Sequence, residues 1–480
     1  MFILALIHFA LIHLACSISR NPILIVVSYD AFRYDYLNYN STPNLFRLRK
    51  EGTFAEYVYN VFPTKTFPNH FTIATGMYTE THGVVGNSMY DPSLKKVIEI
   101  TDDIFTQNEE TVPIWTLNEL AGHGRHSGVL MWPGHSSTYK NMKPTYTLSW
   151  SADYDMFKRI DKAMEWITNR HKPANLIMLY FEQPDYYSHM YGPDSPQVHD
   201  RVVYMDKVAQ YLDDELKRHK LQHSATVVHL SDHGMLGVKA RDIVNVTRFL
   251  EPNTYTICET SPVLHIIPNE GFEDSIYESL KKASAVLNSF DVYKKSELPE
   301  HWHFKNNPRT PPILVLAKEN YGFQDILEAA YSYNFLFIVT PDSTFGVHGY
   351  DPILSEMHPF FMVRGPKIRK NHMIKPFNFV DLYDFFAKVL KLKSVPNNGT
   401  RNLSGEIFVT NAFDGITSVV ILSIGGVLLS LLLISCAAAI TILLIKRQQS
   451  MRTTAALNKR FPQTFQQSIE AQHLLEAEEA

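Results

Sequence analysis

Three aspartates of this 480-residue chain stand in the same local setting: Asp30 follows ILIVVSY, Asp185 follows LIMLYFEQP and Asp232 follows ATVVHLS. Each lies just past the carboxyl end of an apolar, strand-like run, the edge at which open α/β sheets bind their ligands. Histidines accompany them. His189 comes four residues after Asp185, His233 directly follows Asp232, and His348 sits in FGVHGYD between turn-forming glycines. Zn²⁺ takes carboxylate oxygen and imidazole nitrogen, so Asp and His drawn from separate strand ends suit a zinc pair. One such pair alone is more often a cap or a turn; the shared placement is what singles these residues out.

A further segment, PTKTFPNHFTIATG at 63–76, places Pro68 where a first helical turn accepts proline and Gly76 where a helix ends. Thr66 is then expected at the N-cap, where backbone N–H groups and the helix dipole favour an anion. As a plain cap it is structural. Beside a metal pair it has another use, because a metal lowers the pKa of a bound hydroxyl enough to make it a nucleophile.

The elements that must position these residues follow from periodicity. ILIVVS (23–28), SGVLM (127–131), NLIMLYF (175–181), ATVVHLS (225–231) and FLFIVT (335–340) are continuous apolar runs. They predict strands of a parallel sheet covered on both faces. Thr42-Pro43 opens a helix that Gly52 closes, and Met156, Ile160, Ala163, Met164 and Ile167 form one stripe of a helix within 153–170. The expected fold class is therefore α/β, a mostly parallel central sheet sandwiched by helices. Residues from about 280 to 325 are richer in Pro, Lys and Asn and read as a subdomain or long insertion.

The ends of the chain differ from the body. Residues 1–16 read as a signal peptide: an apolar run followed by the small residues Ala15, Cys16 and Ser17. The catalytic body is expected over 22–390, a glycosylated stalk over 391–415, and a transmembrane helix over 416–445. That last run carries no charged side chain, and ~20 apolar residues suffice to span a bilayer. Lys446, Arg447 and Arg452 follow and assign the tail, 446–480, to the cytoplasm. A type I single-pass protein with its body extracellular or luminal results. The sequons at Asn40, Asn245, Asn398 and Asn402 all fall on that side. EAQHLL at 470–475 resembles an acidic dileucine sorting signal, although a chance match at a helix end is the preferred reading; an endosomal pool beside a plasma-membrane location stays open. The formal net charge is −4 and no long basic run occurs, so polymeric nucleic acid is not an expected partner. Three cysteines, Cys16, Cys258 and Cys436, rule out a disulfide-built scaffold.

Taken in order, VSYDAFR, PTKTFPNHFTIATGMYTETHGVVGNSMYDP, EQPDYYSHMYGPDS, SDHGM and HGYDP resemble the ecto-nucleotide pyrophosphatase/phosphodiesterase family of the alkaline phosphatase superfamily, over roughly residues 22–390. The chain is most similar to its short, type I membrane members, types four and five. The resemblance implies that Asp185, His189 and His348 hold one Zn²⁺. It implies that Asp30, Asp232 and His233 hold a second, toward which Thr66 bridges as nucleophile. Asn87, in GNSMYD, matches an asparagine that donates to a phosphate oxygen. Phe67 and Trp150 match aromatics that sandwich a nucleobase, whereas core packing is the alternative for Trp150. Ser188 stands where the family usually has glycine.

Three functional readings follow. The first is a zinc-dependent phosphodiesterase/pyrophosphatase acting on nucleotides (NAD, dinucleotides or nucleoside triphosphates) through a covalent threonine intermediate. The second applies the same chemistry to phosphocholine lipids. The third is a non-enzymatic cell-surface receptor or adhesion protein on a retained fold.

Overall fold

The computed structural model describes residues 18–38, 40–99, 102–332, 338–409 and 412–460. An eight-stranded sheet runs through the larger of two compact units, Met1–Val409. Its order is His372–Ile374, Thr53–Ala55, Phe361–Arg364, Ala225–Leu230, Ile23–Tyr29, Leu176–Phe181, Ser127–Leu130, Tyr146–Leu148. Phe361–Arg364 is antiparallel to both neighbours, and the remaining pairings are parallel.

The central strands are apolar on both faces because both faces are covered. Leu24 and Val26 pack with Phe71, Ile73, Ile114, Trp115 and Leu382, which belong to helices on one side. Ile23, Ile25 and Val27 pack with Ile160, Met164, Val202, Met205 and Leu212 on the other. Each fully buried aliphatic side chain contributes about 1.5–3 kcal/mol, so this double-faced stack holds the strand ends rigidly.

Helix Met156–Ile167 buries the expected stripe, and its N-cap Asp155 accepts from Lys158 N. Helix Pro43–Lys50 starts after Thr42 as expected, but the Thr42 hydroxyl donates to Asn38 O rather than capping. A second sheet of four antiparallel strands has the order Tyr255–Cys258, Val263–Pro268, Ile313–Ala317, Phe290–Lys294. Helix Glu273–Leu287 covers it through Ile276, Leu280 and Ala283. The subdomain expected from about 280 therefore begins some twenty-five residues earlier, around a strand pair that composition does not mark.

Two expectations need correction. In the strand expected over 335–340, residues 335–337 lie outside the described residues; 338–340 are irregular, and Ile338 is 87% exposed. Phe361–Arg364, a short run not marked in the sequence, joins the sheet in the opposite direction. The stalk expected from 391 is not a stalk up to residue 409. Leu403 and Ile407 are buried, Arg369 N donates to Ile407 O, and Val409 N donates to Lys367 O.

Among the described residues the second unit contains one helix, Ala412–Arg460, within which Ser423–Ala456 is long and apolar enough to cross a membrane and is not buried. Residues 1–17 and 461–480, with the expected signal peptide and dileucine signal, lie outside the described residues.

Candidate active site

Asp30, Asp185 and Asp232 come from three strands that are adjacent in the sheet, with Ile23–Tyr29 in the middle. The parallel register sets their ends level, Tyr29 opposite Phe181 and Ser28 opposite Leu230. Asp30 N donates to Phe181 O and Asp185 N to Asp30 O, which ties the turns together. Buried Arg159 anchors the Asp185 turn, donating to Tyr180 O (3.1 Å) and Glu182 Oε2 (2.6 Å). His348 arrives by a separate route. It follows strand Thr344–Val347, which pairs antiparallel with Leu236–Lys239 and so brings Val347 opposite Leu236, just beyond His233.

The three histidines share one hydrogen-bond pattern. His189 Nδ1 lies 2.8 Å from Gly346 O, His233 Nδ1 2.9 Å from Gly234 O, and His348 Nδ1 2.9 Å from Thr64 O. A carbonyl only accepts, so each Nδ1 carries a proton and each Nε2 is turned inward, with a lone pair wherever the ring is neutral. This is the tautomer of a metal-bound histidine. His233 Nε2 faces Asp30 Oδ1 at 3.3 Å and Asp232 Oδ2 at 3.2 Å. Asp185 Oδ1 receives His189 Nε2 at 3.4 Å and His348 Nε2 at 3.6 Å. Asp30 Oδ1, Asp185 Oδ1 and Asp232 Oδ2 are buried without a hydrogen-bond partner among the described residues. Buried lone pairs turned on one another are costly, and cations between them remove that cost. Ligand atoms of Asp185, His189 and His348, and of Asp30, Asp185 and His233, each lie within 4.8 Å of one another. The residues present therefore fit divalent metal ions, with Asp185 reaching both groups.

The titration directions agree. Burial, with Asp232 and Asp185 nearby, raises Asp30 well above the ordinary carboxylate value, and burial raises Asp232 likewise. Burial lowers His233 to about 4 and pushes His348 well down, keeping both rings neutral. Desolvation acts on Asp185 and His189 too, but their mutual attraction outweighs it, so Asp185 falls and His189 rises.

Thr66 is the first residue of helix Thr66–Thr75, not its N-cap; Lys65 holds that position, and no side chain caps the helix. The Thr66 hydroxyl is thereby freed from the structural role, and its Oγ1 lies 3.2 Å from His233 Nε2. The helix closes at Gly76, φ 68°, where a Cβ would meet Tyr383 Cβ at 2.6 Å. Asn87 Oδ1 accepts from Phe67 N at 2.9 Å, which engages that backbone N–H and leaves the Asn87 amide N–H groups as the available donors.

Phe67 is half-buried against Phe105, ring centroids 5.5 Å apart. Trp150 is 58% exposed in the loop after Tyr146–Leu148, so it is not a core residue. Ser188 occupies a helical position, is buried, and its Oγ donates to Pro184 O at 3.0 Å; no positive φ is demanded, and His189 is placed without strain. His70 and His82 serve structure: His70 bridges Ser28 Oγ and Thr66 O, and His82 bonds Thr72 Oγ1. His358 bonds Pro352 O and stacks on Tyr57. Cys258 is buried with its thiol pushed up to about 12 by desolvation, hence unreactive.

Two residues escaped the sequence reading. Tyr180 OH donates to Asp30 Oδ2 at 2.5 Å; a hydroxyl in the otherwise apolar run LIMLYF was the available signal. Glu259, φ 68°, accepts from Ser88 N at 3.0 Å and lies 3.6 Å from Lys65 Nζ. It joins the loop bearing Asn87 to the helix start bearing Thr66, and nothing in its sequence setting marks it.

Residues 24–351 match the type I phosphodiesterase/nucleotide pyrophosphatase family. Human ectonucleotide pyrophosphatase/phosphodiesterase family member 5 is 37% identical over 380 residues, 78% of this chain and 76% of its own length. Human bis(5'-adenosyl)-triphosphatase ENPP4 is 35% identical over 80% of this chain and 81% of its own. A structure of murine ectonucleotide pyrophosphatase/phosphodiesterase 5, an inactive threonine-to-alanine variant in complex with AMP, superposes with a TM-score of 0.72. It shares 37% identity and covers 81% of this chain and all of that one. With three neighbouring strand ends converging on metal-ligating groups beside a freed threonine hydroxyl, the chain belongs to the type I phosphodiesterase/nucleotide pyrophosphatase family of hydrolases.

Proposed function

We propose that the chain is a zinc-dependent ecto-phosphodiesterase/pyrophosphatase that cleaves nucleotide phosphodiester or pyrophosphate bonds through a covalent threonine intermediate. NAD, dinucleotides and nucleoside triphosphates are the candidate substrates. The observation that carries the reading is the Thr66 hydroxyl, uncapped at a helix start and 3.2 Å from His233 Nε2. Asp185, His189 and His348 would hold one Zn²⁺, and Asp30, Asp232 and His233 the other. Bound there, the ions supply Lewis-acid stabilisation and lower the pKa of a hydroxyl and a water. The Thr66 hydroxyl gives its proton to solvent and Oγ forms a bond to phosphorus, while the bond to the leaving oxygen, opposite it, breaks with its electron pair on that oxygen. Water then releases the nucleotide from the threonine. The Asn87 amide donates to the non-bridging oxygen as charge develops there. Half-buried Phe67 and exposed Trp150 are the proposed base slot, since a base can stack on an aromatic ring. The inactive threonine variant of a relative, and its AMP complex, support the nucleophile and the nucleotide half.

Helix Ala412–Arg460 anchors the protein to a membrane. We read the topology as type I, with a cleaved signal peptide at 1–16, a span over 416–445, a cytoplasmic tail over 446–480 and the glycosylated body outside.

The test is hydrolysis of thymidine 5'-(4-nitrophenyl phosphate) and NAD by wild type and Thr66→Ala, with bound zinc measured in both. The expected outcome is a loss of turnover of about 10⁴-fold or more, with AMP binding and zinc content retained. Equal turnover in the two proteins overturns the reading.

A further inference from the structure

The two carboxylates that face His233 each divide their oxygens in the same way. Asp232 Oδ1 accepts from Ala31 N at 3.2 Å and from His233 N at 2.9 Å. Its Oδ2 has no hydrogen-bond partner among the described residues and lies 3.2 Å from His233 Nε2. In Asp30 it is Oδ2 that is engaged, while Oδ1 has no such partner and lies 3.3 Å from His233 Nε2. The means differ. Main-chain N–H groups hold the engaged oxygen of Asp232. A single side-chain hydroxyl, that of Tyr180, holds the engaged oxygen of Asp30, at 2.5 Å.

Tyr180 is itself fixed from three sides. It stands opposite Ser28 in the parallel register, one residue before the end of strand Leu176–Phe181. Its carbonyl accepts from Arg159 Nη1 at 3.1 Å. Its side chain is buried and meets the His70 ring edge-on, centroids 5.0 Å apart and planes at 86°. His70 is locked in turn between Ser28 Oγ at 2.9 Å and Thr66 O at 2.8 Å. The packed ring and the tied carbonyl set where the hydroxyl lies, and the hydroxyl sets the Asp30 carboxylate.

A carboxylate can hold a divalent cation through one oxygen or through both. A catalytic zinc takes three protein ligands and keeps a further position open. Asp30, Asp232 and His233 supply three, and Thr66 Oγ1, 3.2 Å from His233 Nε2, stands where the open position is needed. An Asp30 that offered both oxygens would compete with Thr66 for it. Donation to Oδ2 removes that oxygen from the competition.

We propose that Tyr180 is a positioning residue whose hydroxyl restricts Asp30 to one free oxygen and thereby keeps the place beside His233 open for Thr66. The inference rests on the hydrolase reading above and adds to it a residue that touches neither substrate nor cation. Groups that orient metal ligands are commonly worth about 10–100-fold in affinity or activity.

The experiment compares the full-length wild type with Tyr180→Phe and Tyr29→Phe. Tyr29 is the matched control: its hydroxyl is buried in the same sheet and lies 2.8 Å from His229 Nδ1, away from any proposed ligand. Three quantities are measured: kcat and KM for thymidine 5'-(4-nitrophenyl phosphate) at saturating zinc, metal per chain, and the visible spectrum of the cobalt-substituted protein. Four-coordinate Co²⁺ absorbs strongly and more highly coordinated Co²⁺ weakly. Tyr180→Phe is expected to lower kcat about tenfold with KM changed less than twofold. Its metal content should equal that of the wild type, and its cobalt bands should weaken. Tyr29→Phe should lower the melting temperature while leaving kcat and the cobalt spectrum as in the wild type. The inference is overturned, with the hydrolase reading intact, by any of three results in an active wild type: unchanged kcat or spectrum in Tyr180→Phe, loss of metal from it, or equal effects in the two variants. A wild type that neither holds metal nor turns over substrate removes the hydrolase reading and this inference with it.

Discussion

The two halves of the catalytic centre are built alike and placed differently. Asp30, Asp232 and His233 are at most 2% exposed, sealed between the sheet and helix Thr66–Thr75. Across from them, the Asp185 side chain is 17% and that of His189 44% exposed, at the mouth of the cleft. The same ligand types therefore meet opposite electrostatics. In the deep half, carboxylates crowd together out of water and their pKa values rise. In the open half, Asp185 and His189 hold each other in the charged form. Without a cation the deep half approaches neutrality only by keeping protons on its carboxylates, whereas the open half can pair Asp185 with a proton on His189. The half beside Thr66, the proposed nucleophile, is thus the one that tolerates least change, and the half with Asp185 and His189 is the one that solvent reaches.

The largest expected difference is in metal retention. Asp232→Asn should lose the deep ion and about 10³-fold or more in kcat/KM, because several kcal/mol of charge stabilisation disappear with it. His189→Asn should keep the deep ion and lose roughly 10–100-fold. Zinc per chain and kcat/KM, measured together, check this, and equal losses in the two variants would break the contrast.

A smaller effect isolates positioning from ligation. Glu259→Ala should lower kcat about tenfold with KM and zinc content nearly unchanged, since it frees the Ser88 loop that carries Asn87 without touching a ligand. Glu259→Gln, which still accepts from Ser88 N, should recover most of the loss. Its effect should not add to that of Asn87→Ala, because both act through the same amide.

The smallest effect concerns stability without metal. The Asp232 carboxyl is raised in the folded state, so above about pH 4 the unfolded chain has released a proton that the folded chain still holds. The folded state then binds more protons, and its stability falls as pH rises. Asp232→Asn has no proton to hold. In chelator at pH 8 the variant should melt at least about 2 °C above the wild type, the gap closing as pH approaches 4. With zinc present the order should reverse. A metal-free wild type that melts higher at pH 8 would remove the electrostatic account of the deep half.

Much of the centre was legible because its chemistry is carried by local sequence. A strand followed directly by Asp is written in consecutive residues, and the apolar runs at 23–28, 175–181 and 225–231 all form adjacent strands. The helix from Thr66 to Thr75 was legible for the same reason, apart from the one-residue shift that makes Lys65 the cap. What failed to show was whatever depends on a partner far along the chain. The apolar run at 335–340 is as strand-like as the others, yet Ile338 is exposed. Phe361–Arg364, no more conspicuous, fills the antiparallel place. Residues 392–409, polar and bearing two sequons, look like a stalk because the buried side chains that tie them down, Leu403 and Ile407, are few.

By itself the sequence determined the α/β class, the Asp and His residues that gather at the strand ends, and the apolar C-terminal helix, since each is encoded in residue type and short spacing. The tertiary structure alone decided how the ligands divide into a deep and an open half, which tautomer each histidine adopts, and that Asp185 reaches both groups. It also decided that Glu259 joins the loop bearing Asn87 to the start of the helix bearing Thr66. Those properties arise from burial and from contacts between segments up to about three hundred residues apart, such as His348 Nδ1 on Thr64 O, and no local pattern carries them.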